Sequence, residues 1–379
     1  MIRLAIVNSN FVSINRNTTK GTEIFDYIFI RQLAKQAKKH DLHITAFASG
    51  DSQLPVKIES VNYRSSTTDR EIGIQHHKTF ELALVSKALS MQDDFDIYHV
   101  NIGNGDIVLP FAPFIKKPIL VTMHGSFLEE KYNKKYLSLF KNLKNIYFVS
   151  ISDTQRNPLP NLNYIDTIYH GVDIKRLWKF NEIGGDRIVW AGRAIREKGI
   201  NELIRVIKKV KKPSHIFPLV KKETPRLIKR IIEGTYKPTS LISVHKSLYR
   251  YYLGKEFQLS KLFLFPVQWE EPFGLVLIES MASGTPIVAF ARGSVPEIIE
   301  DGITGFLVNP SIEETRGKFI THKIGIDGLC EAIERIYAMP ESVYRTMRQH
   351  CRARVEKYFT AQHMVKKYIE TYKKILDYY

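Results

Sequence analysis

The stretch EEPFGLVLIESMASGTPIVAF, Glu270–Phe290, constrains the fold of this chain more than any other part of the sequence. Its two acids, Glu271 and Glu279, are separated by seven residues, and between them Gly274 precedes an apolar segment of helical character. A Ser-Gly-Thr-Pro turn then leads into an apolar segment of strand length. Because another apolar strand precedes the stretch, the order is strand, helix, strand. This order predicts a parallel sheet with both acids near the carboxyl ends of its strands.

The same alternation of strand and helix runs through the chain in two rounds. Strands are predicted in the first round at Arg3–Asn8, His43–Ala48, Asp96–Val100, Pro118–Met123, Tyr147–Ser152 and Tyr164–Ile168, and in the second at Arg187–Ala191, His215–Val220, Leu241–Val244, Leu262–Phe265, Pro286–Phe290 and Gly305–Val308. Since 379 residues exceed what one hydrophobic core usually organises, two domains are expected. We therefore predict an α/β fold of two Rossmann-like, doubly wound domains, residues 1–172 and 173–358. A helical segment, 359–379, is predicted to pack back on the first domain.

The net charge of +17 is the unusual feature of an otherwise ordinary composition. A basic surface of this strength implies an anionic partner, which is a nucleic acid, an anionic lipid or a phosphorylated substrate. A solvated lysine-rich surface explains the charge equally well. The sequence contains no zinc-finger or ribonucleoprotein-type aromatic motif, so no nucleic-acid partner is expected.

The sequence pattern predicts a cytoplasmic protein. No apolar run approaches the roughly 18 residues that span a bilayer, and the first residues have no signal-peptide pattern. The two cysteines, Cys330 and Cys351, lack metal-ligand spacing and are predicted to be reduced packing residues. The basic, aromatic segment Glu129–Lys141 leaves three interpretations open. It is an ordinary amphipathic surface helix, a peripheral contact with an anionic membrane at its inner face, or a contact with a charged acceptor.

A second loop with chemical character is GRAIREKG, Gly192–Gly199, which follows a predicted strand and precedes a predicted helix. Arg193 and Lys198 are placed to converge on one anion, because a guanidinium and an ammonium both attract phosphate. Taken alone, the loop could also be a solvated connection. Together with Glu271 and the free N–H groups where a helix begins after Gly274, it indicates a diphosphate site beside which the acids bind sugar hydroxyls.

The first half of the chain contributes two weaker motifs. His124, in the sequence TMHG, ends a predicted strand, a position where a histidine is more often structural than functional. Gly21, in the sequence KGTE, opens a predicted helix at a point where the backbone would approach a ligand. By contrast, Asp94 and Asp96 run straight into a strand, so we interpret them as the start of that strand and not as a metal site.

These motifs occur in the order of a known family, and the chain resembles the retaining GT-B glycosyltransferases of family GT4. The resemblance is carried by Glu271–Glu279, the Gly192–Gly199 loop, His124-Gly125 and the HGVD sequence His170–Asp173. The KGTE, ASGDS and QWEEP sequences are similar to the subgroup named for the avilamycin glycosyltransferase. The likeness covers nearly the whole chain. It implies two Rossmann-like domains that face each other across a cleft, with a hinge near His170–Asp173.

The resemblance also implies four catalytic residues. Arg193 and Lys198 would hold the nucleotide diphosphate and stabilise it as a leaving group. Glu271 would face the hydroxyls of the donor sugar near its anomeric carbon. His124 would reach the same sugar from the first domain.

The other implied residues bind the donor. Glu279 would hydrogen-bond the ribose hydroxyls, and Gly21 would let its loop close over the phosphates. The helix start at Gly274, Leu275 and Val276 would cap phosphate or sugar oxygens through its N–H groups. The reaction implied is metal-independent transfer of a hexose, with retention, from a UDP- or GDP-sugar to a glycan, a lipid or a small-molecule acceptor. No cofactor is expected, because the nucleotide-sugar is itself the donor substrate.

Two alternatives remain open at this point. A sugar-nucleotide 2-epimerase or a glycogen-synthase-like polymerase shares the two-domain layout but uses a different set of acids and histidines. A non-enzymatic protein that binds nucleic acid or membranes would explain the charge of +17. It would not explain Glu271 and Glu279, because carboxylates weaken binding to a phosphate backbone.

Overall fold

The computed structural model describes residues 1–125, 130–220, 222, 224–234, 236, 239–245 and 250–379. Within these residues the chain divides into two compact units. Unit 1 comprises Met1–Gly171 together with Ala361–Tyr379, and unit 2 comprises Val172–Thr360. The chain therefore passes from one unit to the other twice.

Unit 1 is built on a parallel sheet with the strand order β3-β2-β1-β4-β5-β6-β7. Its strands are β1 (Ile2–Val7), β2 (Leu42–Phe47), β3 (Lys57–Glu59), β4 (Ile97–Val100), β5 (Ile119–Met123), β6 (Ile146–Ser150) and β7 (Tyr164–Thr167). The order changes direction between β1 and β4. The loops that follow these two strands diverge, and such a point is where ligands bind in doubly wound folds.

Strand β1 lies inside unit 1, and its alternate side chains belong to two different core clusters. Leu4 and Ile6 pack in a core cluster with helix α1 (Gly21–His40), whereas Ala5 and Val7 pack in another with helix α2 (Gly73–Ser90). Successive side chains of a strand point to opposite faces of the sheet, so both faces of this sheet are covered by helices.

The basic segment near residue 130 forms a third helix, α3 (Glu130–Ser138), while Glu129 lies outside the described residues. Leu137 of this helix is buried in the core of unit 1, and the Tyr136 hydroxyl donates to the carbonyl oxygen of Asp106 at 2.8 Å. These contacts fit an amphipathic helix packed on the sheet. In the part of the chain that the structure describes, no helix has the length and apolar character needed to cross a bilayer.

Unit 2 has a second parallel sheet, with the strand order β10-β9-β8-β11-β12-β13. Its strands are β8 (Arg187–Arg193), β9 (Ser214–Leu219), β10 (Ile242–Val244), β11 (Ser260–Phe265), β12 (Ile287–Phe290) and β13 (Gly305–Val308). Its helices are α4 (Ile200–Val210), α5 (Arg226–Ile232), α6 (Arg250–Gln258), α7 (Leu275–Ala282), α8 (Val295–Ile298), α9 (Gly325–Ala338) and α10 (Glu341–Tyr358). The order changes direction between β8 and β11. The prediction of two parallel α/β sheets is therefore confirmed.

The last helix, α11 (Ala361–Tyr378), belongs to unit 1 and packs on α1. The Tyr372 hydroxyl lies 2.6 Å from Nδ1 of His99, whose Nε2 lies 2.7 Å from Oγ1 of Thr122. Thr122 Oγ1 in turn lies 2.9 Å from the Tyr368 hydroxyl. Burial lowers the pKa of His99 well below its usual value, so the ring is neutral in this network. Helix α11 therefore forms part of the core of unit 1.

Both cysteines lie buried and unpaired in unit 2. The Cys351 thiol donates to the carbonyl oxygen of Thr304 at 3.2 Å, and burial raises its pKa to about 12. Burial also raises the pKa of Cys330. A thiol that resists ionisation is a poor nucleophile and a poor metal ligand, so both residues serve in packing.

Candidate active site

The predicted cations and one predicted acid of unit 2 lie on two loops beside the point where its strand order reverses. Strand β8 ends at Arg193, and its loop continues through Lys198. Glu271 lies in the loop after β11. A backbone hydrogen bond of 2.8 Å, from the N–H of Gln268 to the carbonyl oxygen of Glu197, joins the two loops. The fold thus brings together residues that are far apart in sequence.

Gly199 permits this close approach of the two loops. Its φ is +72°, in the left-handed region, and helix α4 begins at the next residue. A Cβ atom at this position would lie 1.8 Å from the carbonyl oxygen of Pro266 in the other loop. Because no side chain fits there, any other residue would force the two loops apart.

Lys198 and Glu271 form a buried ion pair between these loops. The Lys198 Nζ lies 2.5 Å from Oε2 of Glu271, and the same oxygen accepts a hydrogen bond of 2.8 Å from Nε1 of Trp269. The side chains of Lys198 and Glu271 are only 15% and 7% exposed. Burial lowers the pKa of Lys198, Glu271 opposes this effect, and nearby Arg193 adds to it. The pair therefore combines strong attraction with poor solvation.

The side chains of Lys198 and Arg193 both lie close to the indole ring of Trp269. Lys198 Nζ lies 4.6 Å from a ring centre of Trp269, and the Arg193 guanidinium lies 5.6 Å from it. Both distances are within the range of cation–π attraction. Arg193 is exposed and takes part in none of the ion pairs found among the described residues. Its charge is therefore available to an anion. Trp269 was not predicted as a site residue, although it stands two residues before Glu271.

Helix α7 begins beside this ion pair. Gly274 has a φ of +83°, in the left-handed region, and Leu275 is the first residue of the helix. The first N–H groups of a helix have no partner within it, and Gly274 has no side chain to cap those of Leu275 and Val276. The backbone of Glu271 is held in place because its carbonyl oxygen accepts a hydrogen bond of 2.9 Å from the N–H of Ser294.

Glu279 lies further along α7 and has its own cationic partner. It is 5% exposed and forms an ion pair with Arg250 of α6, whose guanidinium lies 5.4 Å from the ring centre of Trp178. Burial raises the pKa of Glu279, while Arg250 acts in the opposite direction. Arg250 was not predicted as a site residue, because it lies 29 residues before Glu279 in a segment without any recognisable motif.

Unit 1 contains the other two predicted site residues. His124 follows β5, and its Nε2 lies 3.4 Å from Oδ1 of Asn101. Its ring centre lies 4.7 Å from that of Phe25 and 5.5 Å from that of His170. Burial lowers the pKa of His124 to about 3, so the imidazole is neutral at ordinary pH. The neutral ring has one donor nitrogen and one acceptor nitrogen.

Gly21 is the first residue of α1 and is exposed. A Cβ atom added there would meet no heavy atom within 4 Å, so the fold itself does not require glycine at this position. The structure thus places Gly21 and His124 in unit 1. It places the other predicted site residues in unit 2.

Among the described residues, no cluster of three or more His, Cys, Asp or Glu side chains is arranged to bind a metal ion. Asp94 ends a short 3-10 turn, Gln92–Asp94, and Asp96 pairs with Arg3 at 2.7 Å. Asp96 therefore ties the start of β4 to β1. The interpretation of these aspartates as structural agrees with this arrangement.

Comparisons with known proteins match both the fold and the part of the chain that carries these loops. Residues 178–321, which contain every predicted site residue of unit 2, match the family described as glycosyl transferases group 1. Sucrose-phosphate synthase from Thermosynechococcus elongatus has a similar structure, with a TM-score of 0.74 and 17% identity over 100% of both chains. Anabaena Alr3699/HepE in complex with UDP and glucose gives a TM-score of 0.73 and 16% identity, over 99% of this chain and 100% of that one.

Curated protein sequences also match this chain. The N-acetyl-alpha-D-glucosaminyl L-malate synthase of Bacillus anthracis is 23% identical over 99% of this chain and 98% of its own length. The chain spans about half the length of other relatives, such as an uncharacterised protein of the cps region of Klebsiella pneumoniae, which is 24% identical over 55% of its length. Residues 178–321 therefore match the group 1 glycosyl transferases, and the chain has the GT-B fold.

Proposed function

We propose that this protein is a retaining hexosyltransferase that moves a sugar from a nucleotide-diphosphate sugar to a glycan, a lipid or a small-molecule acceptor. The observation that carries the proposal is the gathering of Arg193 and Lys198 around Trp269, beside Glu271. The complex of the Anabaena relative with UDP and glucose supports a UDP-sugar as donor, with a GDP-sugar as the alternative.

The diphosphate of the donor is expected to compete with Glu271 for Lys198. Lys198 is neutralised by Glu271 in the free protein, whereas Arg193 has its charge available. An incoming diphosphate would draw Lys198 toward itself and release the Glu271 carboxylate for the hydroxyls of the sugar. The two cations then oppose the charge that develops on the leaving nucleotide as the glycosidic bond breaks. One such preorganised group typically contributes about 3–4 kcal/mol in the transition state.

Positive charge from the protein replaces a divalent metal in this proposal. Arg193, Lys198 and the start of α7 together supply what a metal ion would otherwise supply to a diphosphate. We therefore expect the reaction to proceed in EDTA.

The remaining residues are proposed to orient the donor. Glu279, whose charge is supported by Arg250, would accept hydrogen bonds from the ribose hydroxyls. His124 would exchange a hydrogen bond with a sugar hydroxyl. It would not act as a proton donor, because its neutral form dominates at working pH. The open space beside Gly21 would admit the phosphates.

A donor screen by calorimetry tests the proposal. UDP-, GDP-, ADP- and dTDP-sugars are titrated in EDTA into the native chain and into the Arg193→Ala, Glu279→Ala and Arg187→Ala variants. Arg187→Ala is the matched control, because Arg187 begins the strand that Arg193 ends. We expect one nucleotide class to bind, with affinity lost in the first two variants and kept in the control. Equal loss in all three variants, or no binding by the native chain, would contradict the proposed site.

A further inference from the structure

Helix α1 carries a carboxyl group where an apolar side chain would be expected. Asp26 is fully buried, and neither of its oxygens has a hydrogen-bond partner of good geometry. Burial and the nearby Glu23 raise its pKa well above the usual range. Burying a carboxyl group in this way costs several kcal/mol, and an aliphatic residue would avoid the cost. The carboxyl group therefore needs an explanation beyond packing.

The neighbour of this carboxyl group is the amide of Asn101. Asn101 is also fully buried and directly follows β4, where its backbone N–H donates to the carbonyl oxygen of Val7 at 2.9 Å. It therefore stands where the strand order of the sheet reverses, between β1 and β4. Nδ2 of Asn101 and both carboxyl oxygens of Asp26 are buried without a hydrogen-bond partner of good geometry, and the amide of Asn101 lowers the pKa of Asp26, in opposition to burial.

The other side of the same amide contacts His124. Oδ1 of Asn101 lies 3.4 Å from Nε2 of His124. An amide oxygen only accepts hydrogen bonds, so this orientation of the amide requires the proton of the neutral imidazole on Nε2 and leaves Nδ1 as the acceptor nitrogen. If the amide turned over, its NH₂ group would face His124 and the ring would carry its proton on Nδ1 instead. The orientation of one amide thus decides which ring nitrogen accepts a hydrogen bond.

Asp26 favours one of these two orientations. A carboxyl group keeps at least one accepting oxygen whether it is ionised or protonated, so it attracts the NH₂ side of Asn101. We propose that Asp26, acting through Asn101, is a positioning residue that holds His124 as the tautomer with its proton on Nε2 and its acceptor at Nδ1. That Nδ1 then meets a sugar hydroxyl rests on the proposed function, whereas the choice of tautomer does not.

The other ionisable groups near Asp26, Asn101 and His124 do not take over the role of Asp26 in orienting the amide. Glu23 is paired with Lys20, whose Nζ lies 3.0 Å from its Oε1. His99 and His170 are buried, and burial lowers the pKa of both well below the usual value. Asp26 is therefore the acid positioned to orient the Asn101 amide.

Nitrogen NMR of the histidine rings tests this inference in the protein without donor. In chain labelled with ¹⁵N-histidine, the ring signals of His124 are assigned by their loss in His124→Gln. We expect the native chain to show Nε2–H, and Asp26→Leu to show Nδ1–H or a mixture of both tautomers. Gln32→Leu is the matched control, because it also replaces a buried polar residue of α1 and should leave His124 unchanged. An unchanged Nε2–H tautomer in Asp26→Leu would overturn the inference.

Two further variants keep the test decisive if Asp26→Leu does not fold. Asp26→Asn preserves the shape but offers Asn101 either an acceptor or a donor, so a mixture of tautomers is expected. Asn101→Asp places a carboxylate beside Nε2. It should keep the Nε2–H tautomer and raise the pKa of His124 above its native value of about 3. A single native tautomer in Asp26→Asn, or an unchanged pKa in Asn101→Asp, would contradict the inference.

Calorimetry with UDP-glucose separates this inference from the proposed function. Asp26→Leu should weaken binding about tenfold, the scale of one hydrogen bond. If the tautomer changes while the affinity does not, the positioning role of Asp26 stands and the contact between His124 and the sugar is wrong.

Discussion

The buried Lys198–Glu271 pair offers a quantitative test of the site's electrostatics. Lys198→Met keeps the length of the side chain but leaves the Glu271 carboxylate, 7% exposed, with the Trp269 hydrogen bond and no cation. Breaking a buried pair on one side typically costs about 3–5 kcal/mol. In a unit of this size each kcal/mol shifts the melting temperature by about 2–4 °C, so we expect a loss of about 6–20 °C.

The reverse change should cost less. Glu271→Gln keeps the shape and leaves Lys198, whose pKa is already lowered, free to lose its proton. The double variant has no buried charge at this place and should be more stable than Lys198→Met alone. Thermal melts give the melting temperatures, and urea unfolding followed by tryptophan fluorescence gives the free energies of unfolding of all three variants. An exposed pair of similar length, Lys209 with Asp327 at 2.6 Å, provides the control, and Lys209→Met should leave stability unchanged.

Additive effects in this double-mutant cycle would refute the reasoning. They would mean that water screens Lys198 and Glu271 from each other despite their low exposure. The same variants also test the proposal that Lys198 leaves Glu271 to bind the diphosphate of the donor. Glu271→Gln should retain affinity for the free nucleotide diphosphate, because Lys198 no longer has to leave a carboxylate and the bound anion favours its protonated form, whereas Lys198→Met should lose it.

Three further predictions follow from the geometry. Because the pKa of His124 is lowered from 6.5 to about 3, unfolding takes up a proton below pH 6.5, and stability should fall as the pH drops from there toward 3. The slope from this group is up to about 1.4 kcal/mol per pH unit, and urea midpoints at pH 7 and pH 5 should differ less in His124→Gln than in the native chain. Gly199→Ala would place a Cβ atom 1.8 Å from a backbone oxygen and should destabilise unit 2, whereas Gly21→Ala meets open space and should not change the thermal melt. Arg250→Met leaves Glu279 without its cation, so the pKa of Glu279 should rise further; donor binding measured between pH 5 and 8 should then fail at a higher pH than in the native chain.

The alternation of strands and helices was predictable because both sheets are parallel and covered on both faces. Most of their strands are therefore largely apolar runs that stand out in the sequence. The exception is β3, Lys57–Glu59, which was missed. It is three residues long, has no buried residue and lies at the edge of its sheet, so it carries no apolar signal.

The candidate site was predictable only where its residues lie in one loop. Arg193 and Lys198 share a loop, and Glu271 stands beside Gly274, so sequence spacing alone suggested a common site. Their partners were not visible. Arg250 reaches Glu279 through the packing of α6 against α7, and no pattern in either helix marks that contact.

The same limit applied to Asp26 in unit 1. Hydrophobic periodicity predicts which face of α1 is buried. A single acid on that face only weakens the periodicity slightly, so it does not indicate a role for the residue. Only the placement of Asn101 beside it shows what the acid contacts.

The position of α11 has a consequence for the order in which the protein folds during synthesis. Residues 1–171 of unit 1 are translated before unit 2, yet Tyr368 and Tyr372, which pair with Thr122 and His99 in the core of unit 1, are translated after it. All of unit 2 is translated in between. Unit 1 therefore cannot complete its core until α11 has been translated. Until then, the face of α1 that α11 covers in the folded protein stays exposed. Unit 2 is complete before unit 1, and a nascent chain stalled before residue 361 would expose that face to chaperones.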